Sequence, residues 1–196
     1  MRPFASRLHF ALFLLSAAAV ATAAAPGDAS SCFACHGSNG VSTSGDNPTI
    51  AGMSVAYLDK QMAGYQSGSR SCAVPSPYDM CAIAKQTTRA QVGSTSAFFA
   101  AQSFVAAKQT VEPALVAVGK ALHEGRCGMC HTRGGSAAND DAGILAGQWQ
   151  PYLEATLKAF VAGARPQPAP MKQKTATLTP DDIHALAQYY ASEASK

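Results

Sequence analysis

Apolar side chains return every three or four positions along much of the chain, the spacing of one helix face. Val55, Leu58, Met62 and Tyr65 form one stripe; Trp149, Tyr152, Leu153, Leu157 and Phe160 form a second; Ile183, Leu186, Ala187 and Tyr190 form a third. Leu115, Val118 and Leu122 place a further helix over Pro113 to His123. Gly68 and Gly163 stand where the first two stripes run out, as expected of helix C-termini. The third stripe opens on Thr179-Pro180-Asp181-Asp182: a capping residue, a proline for the first turn, and acids against the helix dipole. A weaker apolar run, Ala97 to Phe104, is the expected core of the matching helix in the first half. Polar stretches rich in Gly, Ser, Asn and Asp, Gly37 to Pro48 and Arg133 to Gly143, predict irregular chain. No segment alternates as a strand would, so the fold class is all-α.

The pattern repeats. At an offset of 95, the segment from Cys32 to Arg70 aligns without a gap on Cys127 to Arg165, and 11 of the 39 positions are identical. Gly40/Gly135, Asp46/Asp141, Ala51/Ala146, Gly52/Gly147, Tyr57/Tyr152, Leu58/Leu153, Gly68/Gly163 and Arg70/Arg165 are among them. An internal duplication of this kind predicts two tandem domains, 24–107 and 108–196, with a linker near Ala106 to Glu112. Only Ala24 to Ser31 precedes the first copy, so its opening helix must be short.

Residues 1–23 read as a signal peptide. Arg2 and Arg7 form its positive end, His9 to Val20 its apolar run, and Ala21-Thr22-Ala23 a cleavage site, cut after Ala23. An uncleaved membrane anchor is the alternative. No later apolar run reaches the length of a membrane span, so an exported, periplasmic mature chain is expected. Without residues 1–23, 13 basic residues face 12 acidic ones. Nothing there resembles a nucleic-acid footprint.

Each copy opens on Cys-x-x-Cys-His: Cys32, Cys35 and His36, then Cys127, Cys130 and His131. This is the attachment signature of haem c, in which two thiols hold the macrocycle as thioethers and the histidine ligates iron. A zinc site would need a further pair of ligands and no histidine directly after the second cysteine. Two covalently bound haems are therefore expected, and they would staple two domains too small to bury much surface.

A methionine as sixth ligand suits electron transfer. Met171, among Pro166, Pro168 and Pro170, is the candidate in the second half, since Met129 lies inside the attachment motif. In the first half Met53 and Met62 fall on the helix stripe and read as core, which leaves Met80. Its offset from Met171 is 91, so the first-half segment is four residues longer. Cys72 and Cys81 bracket it. In an oxidising compartment a disulfide is the first expectation; iron ligation by Cys81, a redox centre or free thiols remain open. His123 and His184 read as a helix-terminal and a surface residue. The pairs Tyr57/Tyr152 and Tyr65/Phe160 read as haem-pocket packing, their hydroxyls reaching a propionate or backbone. Arg70 and Arg165 could pair with propionates or stand as solvated charges.

The duplicated motif followed by Ala-Gly-x-x-x-x-Tyr-Leu resembles the two-domain dihaem cytochromes of the bacterial periplasm. Ala107-Lys108-Gln109, Gly119 to His123, His131-Thr-Arg-Gly134-Gly135 and Ile144-Leu-Ala-Gly-Gln-Trp-Gln-Pro-Tyr-Leu153 resemble, more narrowly, the cytochrome subunit of flavocytochrome c sulfide dehydrogenase. That resemblance implies tandem class I cytochrome c domains, His36 and His131 as proximal ligands, and Met80 and Met171 as distal ones. It also implies an FAD-binding flavoprotein partner that oxidises sulfide and passes electrons to this chain, and a downstream periplasmic acceptor. The loop between Cys72 and Cys81 departs from the family's best-known form. Competing with this role are a free-standing dihaem shuttle between a quinol-oxidising complex and a terminal oxidase, and a haem enzyme with one open or thiolate-ligated iron.

Overall fold

The computed structural model describes residues 26–72, 79–139 and 142–193. The expected signal peptide and its cleavage site, Asp141 and most of the loop between Cys72 and Cys81 lie outside them. Within them every regular element is helical: α1 Ser30–His36, α2 Val55–Ser67, α3 Met80–Gln86, α4 Arg89–Ala100, α5 Pro113–Leu122, α6 Gln150–Val161, α7 Ala169–Thr175 and α8 Pro180–Ser192.

The two halves repeat one plan. Gly40 and Gly135 each turn back over the motif, and each carbonyl accepts two backbone N–H groups: Ile50 and Ala51 in one half, Leu145 and Ala146 in the other. Both glycines hold positive φ, +80° and +85°. A Cβ on Gly40 would lie 2.7 Å from Phe99 Cδ1, and one on Gly135 would lie 3.0 Å from Tyr190 Cε1. Glycine recurs there because a left-handed backbone and a ring pressed on the chain both exclude a side chain. Five residues past Ile50 and Leu145, α2 and α6 begin; their stripes bury Leu58 and Leu153. Trp149 falls one residue before α6, at its N-cap, rather than inside the stripe.

The closing helices match at an offset of 91. Thr88 and Thr179 both cap them, each with a reciprocal bond from the third helical residue, Gln91 or Asp182. The expectation of a first-half helix centred on Ala97 to Phe104 is corrected: α4 starts at Arg89 and stops at Ala100. Its start is set by the capping box, which satisfies two N–H groups that would otherwise face water alone. The methionine segments also differ from the expected loops. Met80 opens the seven-residue α3, and Met171 stands in the first turn of the seven-residue α7.

Each half has its own core. Phe99, Met53 and Leu58 form the first, with Phe33 and Phe98 packed against it; Leu153, Leu178, Ile183, Leu186, Tyr189 and Tyr190 form the second. Full burial of each such large apolar side chain contributes roughly 1.5–3 kcal/mol. In the second half α5 crosses α8 so closely that a Cβ on Gly119 would meet the Ala185 carbonyl. Residues 101–112 carry no helix and are bonded onto the second half: Ala107 N–H to Gly147 O at 2.8 Å, Gln150 N–H to Gln109 Oε1 at 2.8 Å, and Glu112 N–H to Gln188 Oε1 at 2.9 Å.

Candidate functional site

The first motif lies on α1, with Cys32 partly buried and Cys35 exposed at the surface. His36 ends that helix and is 7% exposed. Its Nδ1 lies 2.8 Å from the Pro48 carbonyl, an acceptor, so Nδ1 carries the proton and Nε2 is left as a lone-pair donor. A backbone carbonyl on the far nitrogen is the usual device for orienting a metal-bound imidazole. Burial pushes the His36 imidazole below its ordinary pKa, with the Pro48 bond acting the other way.

The second motif is built differently. A π-helical turn, His123–Cys127, carries the chain out of α5, and the N–H groups of Cys130 and His131 both close on the Cys127 carbonyl, at 3.1 and 2.9 Å. Cys127 is partly buried and Cys130 exposed, as in the first motif. Burial, and then the charge of nearby His123, lower the His131 pKa. None of the four motif cysteines is disulfide-bonded, whereas Cys72 and Cys81 are joined as a disulfide with Cα atoms 6.1 Å apart. In each motif two such cysteines stand beside an imidazole, buried at His36 and half-buried at His131, which is the donor set a covalent haem requires, and the residues of both motifs fit that group.

Met53 is committed elsewhere. It is 4% exposed, and its Sδ accepts the N–H of Ile144 at 3.1 Å. Met129 is 90% exposed. Met80 and Met171 occupy matching places in the two halves, both half-buried on their short helices.

His123 ends α5 as read, and it is also buried, packed against the rings of Tyr189 and Tyr190, with Nδ1 3.0 Å from the Tyr190 hydroxyl. His184 is a surface residue as read, and pairs with Glu154 at 2.7 Å. Arg165 is not a solvated charge. It is 6% exposed and donates to Tyr57 Oη (3.2 Å) and Gln61 Oε1 (2.9 Å) of the first half, and to Tyr152 Oη (3.5 Å) and Thr156 Oγ1 (3.1 Å) of its own. The tyrosine hydroxyls thus face a guanidinium.

The two halves meet across an approximate twofold. Gln148 is 0% exposed, and its side-chain amide accepts from Thr49 N–H and donates to Thr49 C=O, both at 2.9 Å. Met53, its mate at offset 95, accepts from Ile144, the mate of Thr49. Trp149 Nε1 donates to Ser42 O at 3.2 Å, and Ser71 N–H to Ala164 O at 3.2 Å. The sequence did not disclose Gln148, because a glutamine carries no periodic signal, whereas Arg165 was marked by its identity with Arg70 in the repeat.

The family model described as cytochrome c oxidase, cbb3-type, subunit III matches residues 114–189. A thiosulfate dehydrogenase electron acceptor from Thiomonas intermedia (strain K12) is 30% identical over 92% of this chain and 86% of its own length. Cytochrome c4 of Pseudomonas aeruginosa is 30% identical over 89% and 90%. The chain belongs to the cytochrome c4 family. Among solved structures, cytochrome c4 of Acidithiobacillus ferrooxidans superimposes with a TM-score of 0.73 at 27% identity, over 83% of this chain and 99% of that one. Thiosulfate dehydrogenase TsdBA from Marichromatium purpuratum gives 0.71 at 30% identity over 84% of this chain, which spans 36% of that longer chain. Membership makes the molecule a dihaem c-type cytochrome acting in electron transfer, with two tandem class I cytochrome c domains. The matches support this broader family and do not single out a flavocytochrome c subunit. No helix among the described residues is long and apolar enough to cross a membrane.

Proposed function

We propose that the chain is a periplasmic dihaem electron carrier that works as a free-standing shuttle, taking single electrons from a dehydrogenase and delivering them to a terminal acceptor such as an oxidase. Haem c supplies a one-electron ferric/ferrous couple when bound. Cys32, Cys35, Cys127 and Cys130 would hold it as thioethers, and His36, His131, Met80 and Met171 would ligate the iron. The Cys72–Cys81 disulfide anchors the start of α3 to the segment after α2, which restrains Met80. The near full-length likeness to cytochrome c4 and to a thiosulfate dehydrogenase electron acceptor carries this reading.

The narrower reading, a fixed subunit beneath an FAD-binding sulfide dehydrogenase, leaned most on the Gly134-Gly135 loop and the Ile144 to Leu153 stretch. That stretch has work inside the chain: Ile144 packs in the first half's core, Gln148 binds Thr49, and Trp149 binds Ser42. Those three residues are explained without a docked flavoprotein. The test is to isolate the exported protein from its own host without crosslinking. A monomer with two low-spin haems, each with a methionine–iron charge-transfer band, and no flavin is expected. Stoichiometric co-purification with an FAD protein would sink the shuttle reading, and a five-coordinate high-spin iron would sink the ligand assignment.

A further inference from the structure

The two halves hold their methionine segments by different means. In the second half α7 is held by hydrogen bonds: Gln167 Nε2 donates to Phe160 O at 2.9 Å, and Gln167 Oε1 accepts from Thr175 Oγ1 at 2.9 Å. In the first half the chain runs 12 positions from Gly68 to Met80, against 8 from Gly163 to Met171. The far end of α3 is tied to α2, where Gln66 Nε2 donates to Ala84 O at 3.1 Å and to Thr87 O at 2.8 Å. The near end, where Met80 stands, is tied covalently, because the next residue, Cys81, is bonded to Cys72. Cys72 in turn follows a fixed point. The N–H and the Oγ of Ser71 both donate to Ala164 O of the second half, at 3.2 and 3.0 Å. The disulfide thus carries a restraint from the joint between the halves to Met80.

The longer segment makes that bond matter. A longer tether has more conformations to lose when its ends are fixed, and a cross-link removes most of them. The residue after Met171 is Lys172, so α7 has no such bond. Both Cys72 and Cys81 are half-buried rather than enclosed, which leaves the pair within reach of an attacking thiolate.

We propose, on the dihaem reading above with Met80 as a ligand, that the Cys72–Cys81 disulfide is a reducible latch on the first haem's sixth position, and that a dithiol is the reactant that opens it. One thiolate of the reductant attacks a sulfur of the pair, the Cys72–Cys81 bond breaks and a mixed disulfide forms. The second thiol of the reductant then resolves that intermediate. Two electrons and two protons pass to Cys72 and Cys81, and the reductant leaves as its own disulfide. With the latch open, α3 keeps its hold on α2 at Ala84 and Thr87, but Met80 is no longer fixed. Its thioether leaves the iron, the sixth position admits small ligands, and the potential of that site falls, since a methionine ligand raises it. Met171 is untouched, so one of the two sites stops carrying electrons while the other keeps its ligand.

The test uses the exported holoprotein. The oxidised wild type is checked first: two low-spin haems, each with a methionine–iron charge-transfer band, are required, and fewer overturns the dihaem His/Met reading itself. The protein is then treated with dithiothreitol under native conditions. New thiols are capped with iodoacetamide and counted by mass, and the haems are returned to the ferric state with ferricyanide. Two capped cysteines are expected, with loss of about half of the charge-transfer absorbance and cyanide binding at one site per chain about tenfold faster or more. Met171→His, which removes the second half's band, shows which iron responds: the band that remains is the one that reduction abolishes. The double variant Cys72→Ser/Cys81→Ser shows the same half band with no reductant, which separates opening from capping. Two capped cysteines with the full band and unchanged cyanide kinetics would overturn the proposal, and so would a disulfide that opens only when the chain unfolds. If the serine variant does not assemble, reduction and capping of the wild type decides alone.

Discussion

Replacing Gln148 by methionine tests how much of the joint between the halves rests on one side chain. The substitution puts into the second half the residue the first half carries at the same place, Met53. The volumes are close and neither side chain is branched at Cβ, so packing changes little. What is lost is specific. Thr49 is 1% exposed, and both its N–H and its C=O are paired to the Gln148 amide at 2.9 Å. Each buried backbone group left unsatisfied costs about 1–3 kcal/mol. Against this, a methionine needs no desolvated amide, and its sulfur can accept weakly from the Thr49 N–H, as Met53 does from Ile144. The carbonyl has no such remedy. A net loss of about 2–4 kcal/mol follows. Denaturant unfolding of the holoprotein measures it, and amide hydrogen exchange at Thr49 localises it. A loss under about 1 kcal/mol with Thr49 still protected would refute the claim that this amide holds the halves together.

Two further outcomes follow from the same geometry. Gly119→Ala should destabilise the protein by about 2 kcal/mol or more despite the better helix former, because the new methyl lies within 2.7 Å of Tyr189 Cβ and against the Ala185 backbone; Gly93→Ala, with nothing within 4 Å, should instead stabilise by about 0.5–1 kcal/mol, and thermal unfolding of the pair checks the contrast. Burial, outweighing the nearby carboxylates Glu124 and Glu193, lowers the pKa of His123, so the folded state favours the neutral ring. Its contribution to stability is then complete above the unfolded pKa, about 6.5, and is lost as pH falls through the lower folded value. Wild-type melting temperature should drop on acidification from about pH 7 more steeply than that of His123→Phe, and equal slopes would count against a titrating His123; His36 and His131, once bound to iron, do not titrate there.

Local chemistry and period were readable from the chain. The two Cys-x-x-Cys-His motifs are covalent signatures five residues long, the stripes of α2, α6 and α8 recur at helical spacing, and the offset of 95 marks a duplication. The start of α4 was missed: its apolar run pointed nearer Phe104, whereas the capping box of Thr88 and Gln91 begins the helix at Arg89. The motifs and stripes depend on residues a few positions apart and the duplication on identity alone, so no knowledge of packing is needed. The joint between the halves is another matter. That Gln148 binds Thr49, that Met53 serves Ile144, and that Arg165 reaches Tyr57 and Gln61 depends on contacts about a hundred residues apart. His123, four residues before a haem cysteine, gave no sign that two tyrosines of α8 would cover it. Which faces of two similar domains meet is decided by shape and by the pairing of buried polar groups, and those exist only once the chain has folded.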